Sequence, residues 1–360
     1  MKIAILSMQR VLNVGSVLQA YSLRSILHEL GVESVDFLDI EETRVLPSIR
    51  NIQESDDYEQ AAEYSKSVAQ RIKNGLVYRL SKYNKHLLRQ FMKNVLKLDE
   101  KTVAVTYDCV VIGSDEVFNH AQGINLQLHG EVSSAKKCIS YAASCGSAQI
   151  QDIYPEHLPR IKEAVKKFSA VSVRDAATQG YVSFLYDGKI ERHLDPVLVG
   201  PLRERLHSPV PLKNYLLVYA YGLRIRTKKE IDAMRAFAKA KNLKIVAVGG
   251  SQVWCDMYIP ATPFRVLDYF HYADYVVTDT FHGTIFSIIN QKKFGVIMRK
   301  TNRAKLSSLL ECFGLEHREI KDMDRLAEIL VEDIAYDRVD AILEEERMRT
   351  REYLKEQLGV

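Results

Sequence analysis

Eight short apolar runs recur along this 360-residue chain, and most of them lead into a polar loop and then a helical pattern. Most runs are apolar throughout, which is typical of strands covered by helices on both faces. Repeated strand–loop–helix units of this kind predict an α/β fold. The runs are Lys2–Ser7, Cys109–Gly113, Cys138–Ala142, Ala170–Val173, Tyr215–Tyr219, Lys244–Val248, Tyr275–Thr278 and Phe294–Met298.

The length predicts two domains, because 360 residues exceed the usual size of a single hydrophobic core. Prolines interrupt the periodic pattern after Asp195, so we place one domain over 1–195 and a second over 196–322. Residues 41–107 do not follow the strand–helix rhythm and are predicted to form a helical insertion. The charged pattern of 323–360 predicts an amphipathic helix or helix pair.

The composition argues against several classes of protein. The net charge of +4 is small for this length and gives no indication of nucleic-acid binding. No run of about 18 apolar residues is present, so no transmembrane helix is expected. The apolar start Met1–Leu6 is too short for a signal peptide. The five cysteines include no C-x-x-C pair, which favours reduced thiols and a cytoplasmic location.

Residues 71–97 predict one or two basic amphipathic helices. Apolar residues recur there at spacings of three and four, and the segment contains no acidic residue. The pattern fits either the solvated face of a packed helix or a surface that contacts an anionic membrane or polymer. The second interpretation would place the protein at the inner membrane face. The basic residues are Arg71, Lys73, Arg79, Lys82, Lys85, Arg89, Lys93 and Lys97.

The stretch Tyr275–Phe286 carries the strongest indication of a functional site. Its apolar run stops at Thr278, polar residues follow, and a helical pattern begins near His282. Open α/β sheets bind ligands at the carboxyl ends of their strands. The unpaired N–H groups that open a helix attract anions. We therefore expect His282 to take part in chemistry, with Thr280 and Gly283 beside a bound anion.

Other predicted strands end in the same way. Asn13 and Gly15 follow the first strand, and they form either an anion cradle or an ordinary strand–helix turn. Asp115 follows another strand, and it either caps a helix or acts as an acid or base. Arg174 at a third strand end is placed to clamp a carboxylate or phosphate, or to pair with Asp175 or another acid.

Taken together and in this order, these segments resemble the polysaccharide pyruvyl transferase family. The resemblance spans about residues 1–310 and does not clearly cover the predicted insertion or the C-terminal helix. Six ordered motifs are far more specific than any one alone. The matching stretches are Asn13–Tyr21 (NVGSVLQAY), Ile112–Asn119 (IGSDEVFN), Tyr141–Gly146 (YAASCG), Ser172–Asp175 (SVRD), Leu194–Pro196 (LDP) and Thr278–Ser287 (TDTFHGTIFS).

The sequence departs from the family pattern at a few positions. Glu116 and Phe118 stand where Gln and Trp are usual, and Thr280 stands where Ser is common. Other branches carry an Arg-Leu-His triplet whose Arg and His contact phosphoenolpyruvate. Here the triplet is Thr280-Phe281-His282, so the histidine carries over and the arginine does not. Another cation must neutralise the donor, and the candidates by position are Arg299, Lys300, Arg303 and Arg174.

The resemblance implies two Rossmann-like domains in a GT-B-like arrangement, with the site in the cleft between them. It also implies that the pyruvyl group of phosphoenolpyruvate is transferred to two hydroxyls of a sugar, in a polysaccharide or its lipid-linked precursor. The products would be a cyclic ketal and phosphate. Phosphoenolpyruvate is then a co-substrate, and no cofactor or metal ion is expected.

This chemistry needs a general acid and a general base. We assign His282 to one role and Asp115 to assisting the other. The predicted substrate-binding residues are Asn13, Gly15, Ser114, Asn119, Arg174, Thr280, Gly283, Arg299, Lys300 and Arg303.

Two other functions fit the same architecture. A GT-B glycosyltransferase would bind a nucleotide sugar, and Asp322-Met323-Asp324 has the D-x-D spacing used for metal–nucleotide binding, although acids are favoured at a helix start in any case. A non-catalytic relative would bind a sugar or polymer as an assembly partner. Preference for phosphoenolpyruvate, a nucleotide sugar or neither distinguishes the three.

Overall fold

The computed structural model describes residues 1–48, 68–98, 106–120, 123–222 and 224–360. Strands and helices alternate along most of these ranges, and the larger sheets are parallel, so the predicted α/β fold is confirmed. The strands are β1 (Lys2–Leu6), β2 (Ser34–Phe37), β3 (Val45–Leu46), β4 (Cys109–Ile112), β5 (Ile124–Asn125), β6 (Cys138–Ser140), β7 (Val171–Val173), β8 (Ile190–Arg192), β9 (Tyr215–Tyr219), β10 (Lys244–Val248), β11 (Met257–Ile259), β12 (Tyr275–Thr278) and β13 (Lys293–Val296). The α-helices are α1 (Val14–Glu29), α2 (Val68–Phe91), α3 (Leu158–Val165), α4 (Ala176–Ser183), α5 (Pro196–Val199), α6 (Lys228–Ala240), α7 (Pro263–His271), α8 (Phe281–Ile289), α9 (Arg303–Phe313), α10 (Leu326–Val331) and α11 (Tyr336–Leu358).

The first parallel sheet has the strand order β2-β1-β4-β6. Single parallel bridges, from Ile139 to Ala170 and from Ala143 to Val173, continue it to β7, which pairs with β8. The order of the strands reverses between β1 and β4. A crevice opens at the carboxyl ends of the strands where the order reverses, so the loops after β1 and β4 are placed to bind a ligand.

The second parallel sheet has the order β11-β10-β9-β12-β13. This is the strand order of one Rossmann half, and its reversal lies between β9 and β12. Every residue of β9 is buried, as expected for a central strand with helices on both faces. The loops after β9 and β12 are therefore the counterparts of the loops after β1 and β4.

The connection between the sheets runs from the end of β8 to the start of β9, and the predicted boundary after Asp195 lies within it. The C-terminal segment forms α10 and α11, and α11 returns to the first sheet. The Tyr353 hydroxyl donates to the Ser140 carbonyl at 2.8 Å, and the Tyr141 hydroxyl lies 3.2 Å from Thr350 Oγ1. The predicted C-terminal helix thus contributes to the core beside β6.

The predicted insertion over 41–107 contains β3 and α2, and its residues 49–67 and 99–105 lie outside the described residues. Helix α2 buries Val77, Leu88 and Phe91. No helix within the described ranges is both long and apolar enough to span a membrane.

Candidate active site

The loops after β1 and β4 meet at the start of α1. Asn13 caps this helix, since its Oδ1 accepts from Gly15 N at 2.7 Å and from Ser16 N at 3.4 Å. The Ser16 hydroxyl donates to Asp115 Oδ2 at 2.6 Å. Asp115 has a left-handed φ of 69°, and its carbonyl accepts from Ser144 N at 2.9 Å. These contacts fix the loop of the first sheet, with Asn13 and Asp115 as capping and loop-holding groups.

The loop after β12 presents His282 to the same place. Thr280 caps α8 by accepting from Gly283 N at 2.9 Å, so His282 lies in the first helical turn. The His282 ring lies against Gly15: a Cβ at Gly15 would come within 2.1 Å of His282 Nδ1. A Cβ at Gly283 would likewise lie 2.1 Å from Thr278 Oγ1. Both predicted glycines therefore allow close approach of backbone and side chain.

Asp195 lies opposite the histidine ring, and sequence reasoning assigned it no role in the site. His282 Nε2 lies 3.6 Å from Asp195 Oδ2 and has no hydrogen-bond partner within the described ranges. The same oxygen accepts from the Ser114 hydroxyl at 3.3 Å. The available signal was the motif Leu194-Asp-Pro196, which we used only for the resemblance and the domain boundary.

Asp195 is fully buried and ionised. Burial acts to raise its pKa, but the nearby His282 ring and the charge of Arg174 lower the pKa to about 2. The other carboxylate oxygen accepts from Val197 N at 3.0 Å and so caps α5. A fixed negative charge therefore stands beside the imidazole.

Arg174 is a buried cation in this cluster. Its Nη1 donates to Asp195 Oδ2 at 3.0 Å, and its guanidinium carbon lies 4.2 Å from the centroid of the Phe281 ring. Burial acts to lower the pKa of Arg174, but the neighbouring carboxylates, Asp195 first, raise it. Arg174 Nε is buried and has no hydrogen-bond partner within the described ranges, and the residue lines the first of the two cavities described below.

Lys305 is a second cation, mostly shielded from solvent, that the sequence interpretation did not identify. Its Nζ pairs with Glu116 and lies 6.0 Å from the centroid of the Phe281 ring. Asn119 Nδ2 donates to the other oxygen of Glu116 at 2.7 Å. Burial acts to lower the pKa of Lys305, but the charge of Glu116 outweighs it and raises the pKa. Asn119 therefore acts through Glu116, which holds the ammonium group.

Arg299 and Arg303, two of the predicted cations past β13, pair with other carboxylates. Arg299 Nη2 lies 2.7 Å from Glu230 Oε1, and its Nε lies 3.8 Å from Asp279 Oδ2. Arg303 Nη1 lies 2.6 Å from Glu319 Oε1, and the Arg303 side chain is more than half exposed. Lys300 is exposed. Of the four predicted donor cations, the structure thus brings Arg174 into direct contact with the Asp195–His282 pair.

Asp279 lies in the loop that carries His282 and connects that loop to neighbouring segments. It is fully buried, with Oδ2 3.3 Å from Arg224 Nε, and Asn302 Nδ2 donates to its carbonyl at 2.6 Å. Burial raises the pKa of Asp279 to about 6 against the opposing charges of Arg224 and Arg299. The loop that carries His282 is thus anchored to the segment after β13.

Two cavities flank the Asp195–His282 pair. The first, of about 370 Å³, is lined by Arg174, Asp195, Phe281 and Lys305 among others. The second, of about 300 Å³, is lined by His282, by Lys85 and by neutral polar, aromatic and apolar residues. Each volume is of the size that holds a small ligand. Asp115 lines neither of these two cavities.

The D-x-D motif lies elsewhere on the surface. Lys229 Nζ lies 2.8 Å from Asp322 Oδ1 and 3.3 Å from Asp324 Oδ2, and Asp322 also accepts from Asp324 N at 3.1 Å. These acids are thus occupied by an ion pair and a helix cap. Within the described ranges, no three His, Cys, Asp or Glu side chains are grouped so as to hold a metal ion.

Sequence comparison decides the family. The model of the polysaccharide pyruvyl transferase family matches residues 13–301, which include all six motifs and the residues around His282. The chain belongs to the polysaccharide pyruvyl transferase family. The resemblance noted from the sequence is therefore confirmed. No curated protein gave a significant sequence match.

Solved structures similar to this pyruvyl transferase family member are GT-B enzymes. UGT89C1 of Arabidopsis thaliana, in complex with UDP-L-rhamnose, is 12% identical, with 100% of this chain and 99% of that chain covered and a TM-score of 0.52. The UDP-GlcNAc 2-epimerase of Methanocaldococcus jannaschii is 13% identical over 96% of this chain and 100% of that chain, with a TM-score of 0.48. Glycosyltransferase SsfS6 of Streptomyces sp. SF2575, in complex with thymidine diphosphate, is 11% identical over 100% of both chains, with a TM-score of 0.47. The first likeness supports the GT-B-like fold, as predicted.

Proposed function

We propose that this chain transfers the pyruvyl group of phosphoenolpyruvate onto two hydroxyls of a sugar, giving a pyruvate ketal and phosphate. The sugar belongs to a polysaccharide or to its lipid-linked precursor. Membership of the family supports pyruvyl transfer. The observation that carries the choice of donor is the first cavity, where Arg174 and Lys305 lie beside the Asp195–His282 pair.

Phosphoenolpyruvate carries a carboxylate and a phosphate, so its site needs two separate positive charges. Arg174 and Lys305 both lie over the Phe281 ring, at 4.2 and 6.0 Å from its centroid. The planar guanidinium of Arg174, which lines this cavity, suits the carboxylate. The compact ammonium of Lys305 suits the phosphate. The two cations thus take the place of the arginine missing from the Thr280-Phe281-His282 triplet.

The reaction adds one proton to the methylene carbon of phosphoenolpyruvate, which becomes a methyl group beside an oxocarbenium-like carbon. A first sugar hydroxyl bonds to that carbon and loses its proton. The bond from the same carbon to the phosphate oxygen then breaks, and phosphate leaves. The second hydroxyl closes the ketal and loses its proton. One of the two hydroxyl protons balances the new methyl hydrogen, and the other goes to phosphate or solvent.

His282 serves as the acid–base group of this sequence. Its Nε2 has no hydrogen-bond partner within the described ranges and faces a carboxylate 3.6 Å away. Asp195 holds the ring in one orientation and balances the charge that the ring gains when it takes a proton. Asp115 remains the predicted assistant for the opposite proton transfer. Its carboxylate accepts from Ser16, so it also holds the loop.

The test of this function is turnover with a panel of sugars. Purified protein is incubated with phosphoenolpyruvate and each sugar, and released phosphate and the mass of the sugar product are measured together. Phosphate release matched by one pyruvate ketal per phosphate supports the proposal. Parallel reactions replace phosphoenolpyruvate with UDP-sugars, and glycosyl transfer in those reactions alone would overturn it in favour of a glycosyltransferase.

The outer face of α2 supports contact with an anionic membrane, which would bring a lipid-linked acceptor to the cleft on the cytoplasmic side. Ile72, Leu76 and Tyr83 are 68%, 55% and 53% exposed and lie on one stripe of the helix. Exposed Arg79 and Lys82 border this stripe, and residues 71–97 include no acid. Exposed apolar side chains flanked by basic ones match the chemistry of an anionic bilayer surface.

A further inference from the structure

We propose that the second cavity is the acceptor site and that it binds a neutral sugar ring through Tyr221. This inference rests on the proposed function, because it assigns the first cavity to phosphoenolpyruvate. The assignment follows from the charges that line the two cavities. The first is lined by charged groups of both signs, which are Arg174, Arg192, Lys305, Arg349, Asp175, Asp195, Glu311 and Glu346. The second has no acidic residue and has Lys85 as its one lysine or arginine among the described residues, so only the first offers several cations to a doubly anionic donor.

The remaining lining of the second cavity suits a sugar. It presents hydroxyl, amide and aromatic groups, which bind uncharged polar ligands by hydrogen bonds and by contact with a ring face. Tyr221 is 46% exposed although the Arg224 guanidinium carbon lies 5.4 Å from its ring centroid, so part of the ring remains open to a ligand. The Tyr221 hydroxyl accepts from Asn13 Nδ2 at 3.4 Å, which joins the loop after β9 to the start of α1. Tyr219, by contrast, is buried against Phe270 and Phe286.

The cavity is built by small residues and by a helix of the insertion. A Cβ at Gly250 would lie 1.8 Å from the Ala220 carbonyl oxygen, so the loops after β9 and β10 pack backbone to backbone. Asn84 of α2 ties the helix to this floor, since its Oδ1 accepts from Ala261 N at 2.9 Å and its Nδ2 donates to the Gly249 carbonyl at 3.2 Å. Helix α2 therefore forms a wall of the sugar site as well as the exposed basic face.

The position of the cavity fits the reaction. His282 lines the second cavity and Asp195 lines the first. Asp195 Oδ2 lies 3.6 Å from His282 Nε2. A hydroxyl bound in the second cavity would approach the pyruvyl carbon beside the His282 ring, where its proton can be taken. The transfer requires the sugar hydroxyl to come within about 3–3.5 Å of the pyruvyl carbon, so in this proposal the two ligands meet at the edge of the His282 ring.

Gly222 provides a way to fill the cavity without disturbing the fold. A Cβ at Gly222 would make one ordinary contact, 3.6 Å from Ser251 Oγ, and its next neighbour would be at 4.0 Å. Both Gly222 and Ser251 line the cavity. A leucine side chain at this position would therefore occupy space that we assign to the sugar.

The test uses methyl pyranosides as probes, observed by saturation-transfer NMR with the protein held in excess phosphoenolpyruvate. Gly222→Leu and Tyr221→Ala should weaken sugar binding roughly tenfold or more, while calorimetric binding of phosphoenolpyruvate stays within twofold of wild type. The matched control is Tyr272→Ala, which removes a tyrosine of similar exposure that lines neither cavity.

The two proposals fail in different ways. The acceptor site alone would be overturned if Gly222→Leu and Tyr221→Ala bound the sugar as tightly as wild type. It would also be overturned if protein that binds phosphoenolpyruvate gave no sugar signal. Loss of phosphoenolpyruvate binding in these two variants would place the donor in the second cavity, which would also overturn the acceptor site proposed there. A wild-type protein that binds no phosphoenolpyruvate would instead overturn the proposed function.

Discussion

The imidazole of His282 packs directly on the backbone of Gly15, so closely that a Cβ at Gly15 would lie 2.1 Å from Nδ1 and 2.2 Å from Cγ. Gly15 belongs to α1 beside the first sheet, and His282 belongs to α8 beside the second. The contact therefore joins the ligand-binding ends of both sheets at one side chain. It limits the ring to orientations in which Nε2 faces Asp195.

Replacing Gly15 should displace the histidine. In Gly15→Ala the new methyl group cannot coexist with the ring as placed, so we expect the rate of pyruvyl transfer to fall roughly a hundredfold, the cost of misplacing a reacting group by about 1 Å. Phosphoenolpyruvate binding should change little, because Arg174 and Lys305 are not moved. The measurement is kcat beside the calorimetric Kd. Gly180→Ala is the control, since that helical glycine has no neighbour within 4 Å, and a fully active Gly15→Ala would contradict the assignment.

Removing the charge of Asp195 should change how the rate depends on pH. Asp195→Asn keeps an oxygen that can cap α5 but leaves His282 and Arg174 without their shared carboxylate. We expect a loss of about 10²-fold to 10⁴-fold in kcat and a displaced acid–base limb in the pH profile. Unfolding temperature is measured alongside. A profile with the wild-type shape and a proportionally lower rate would mean that Asp195 acts only in folding.

The Glu116–Lys305 pair should make stability depend on acidity. The charge of Lys305 lowers the pKa of Glu116 from its usual 4.5 to about 2, so the pair stabilises the fold fully above about pH 4.5 and loses this contribution as the pH falls towards 2. Since the carboxylate is 28% exposed, we expect a contribution of about 2 kcal/mol.

Urea unfolding of wild type and Glu116→Gln between pH 7 and pH 3.5 measures this contribution. The difference between the two proteins should shrink as the pH falls. Glu328→Gln, which breaks an exposed pair with Arg325, serves as the comparison and should show a smaller change. A difference between wild type and Glu116→Gln that stays constant with pH would contradict the ion pair.

Neutralising the outer face of α2 should weaken binding to anionic vesicles. In the triple variant Arg79→Gln, Lys82→Gln and Arg89→Gln, each lost charge removes about 1 kcal/mol near the surface, so partitioning should fall roughly a hundredfold. Co-sedimentation with phosphatidylglycerol vesicles measures it. The control exchanges Lys228, Lys239 and Lys241, exposed basic residues at α6, for Gln. If the two triple variants sedimented equally with the vesicles, the proposal that α2 contacts the membrane would be wrong.

The strongly apolar strands were predictable from sequence, including β13 at the edge of the second sheet, and the other edge strands were not. All eight apolar runs contain strands of the two sheets, because strands buried on both faces read as continuous apolar segments. Strands β2 and β8 carry acidic residues, and β11 has only three residues. All three lie at the ends of their sheets, partly in contact with solvent. Edge strands of this kind leave a weaker pattern in the sequence.

The candidate site was predictable where a residue follows a strand directly, as His282 and Arg174 do. Lys305 follows no strand: it lies inside α9, two residues after Arg303, and residues two apart on a helix face in nearly opposite directions. Sequence position therefore favoured Arg303, whereas folding turns Lys305 towards Glu116. Asp195 meets His282 across 87 residues of chain, and only the packing of the two sheets reveals that contact.

The claim that Arg174 and Lys305 hold phosphoenolpyruvate is tested most directly by calorimetric titration of the purified chain. We predict saturable binding to wild type, weakened roughly tenfold to a hundredfold in Arg174→Gln and in Lys305→Gln, since each loses a hydrogen bond to a charged group. Arg303→Gln should bind like wild type, and UDP should give no signal. Binding of UDP without phosphoenolpyruvate, or phosphoenolpyruvate binding that depends on Arg303 and not on Arg174 or Lys305, would contradict the account.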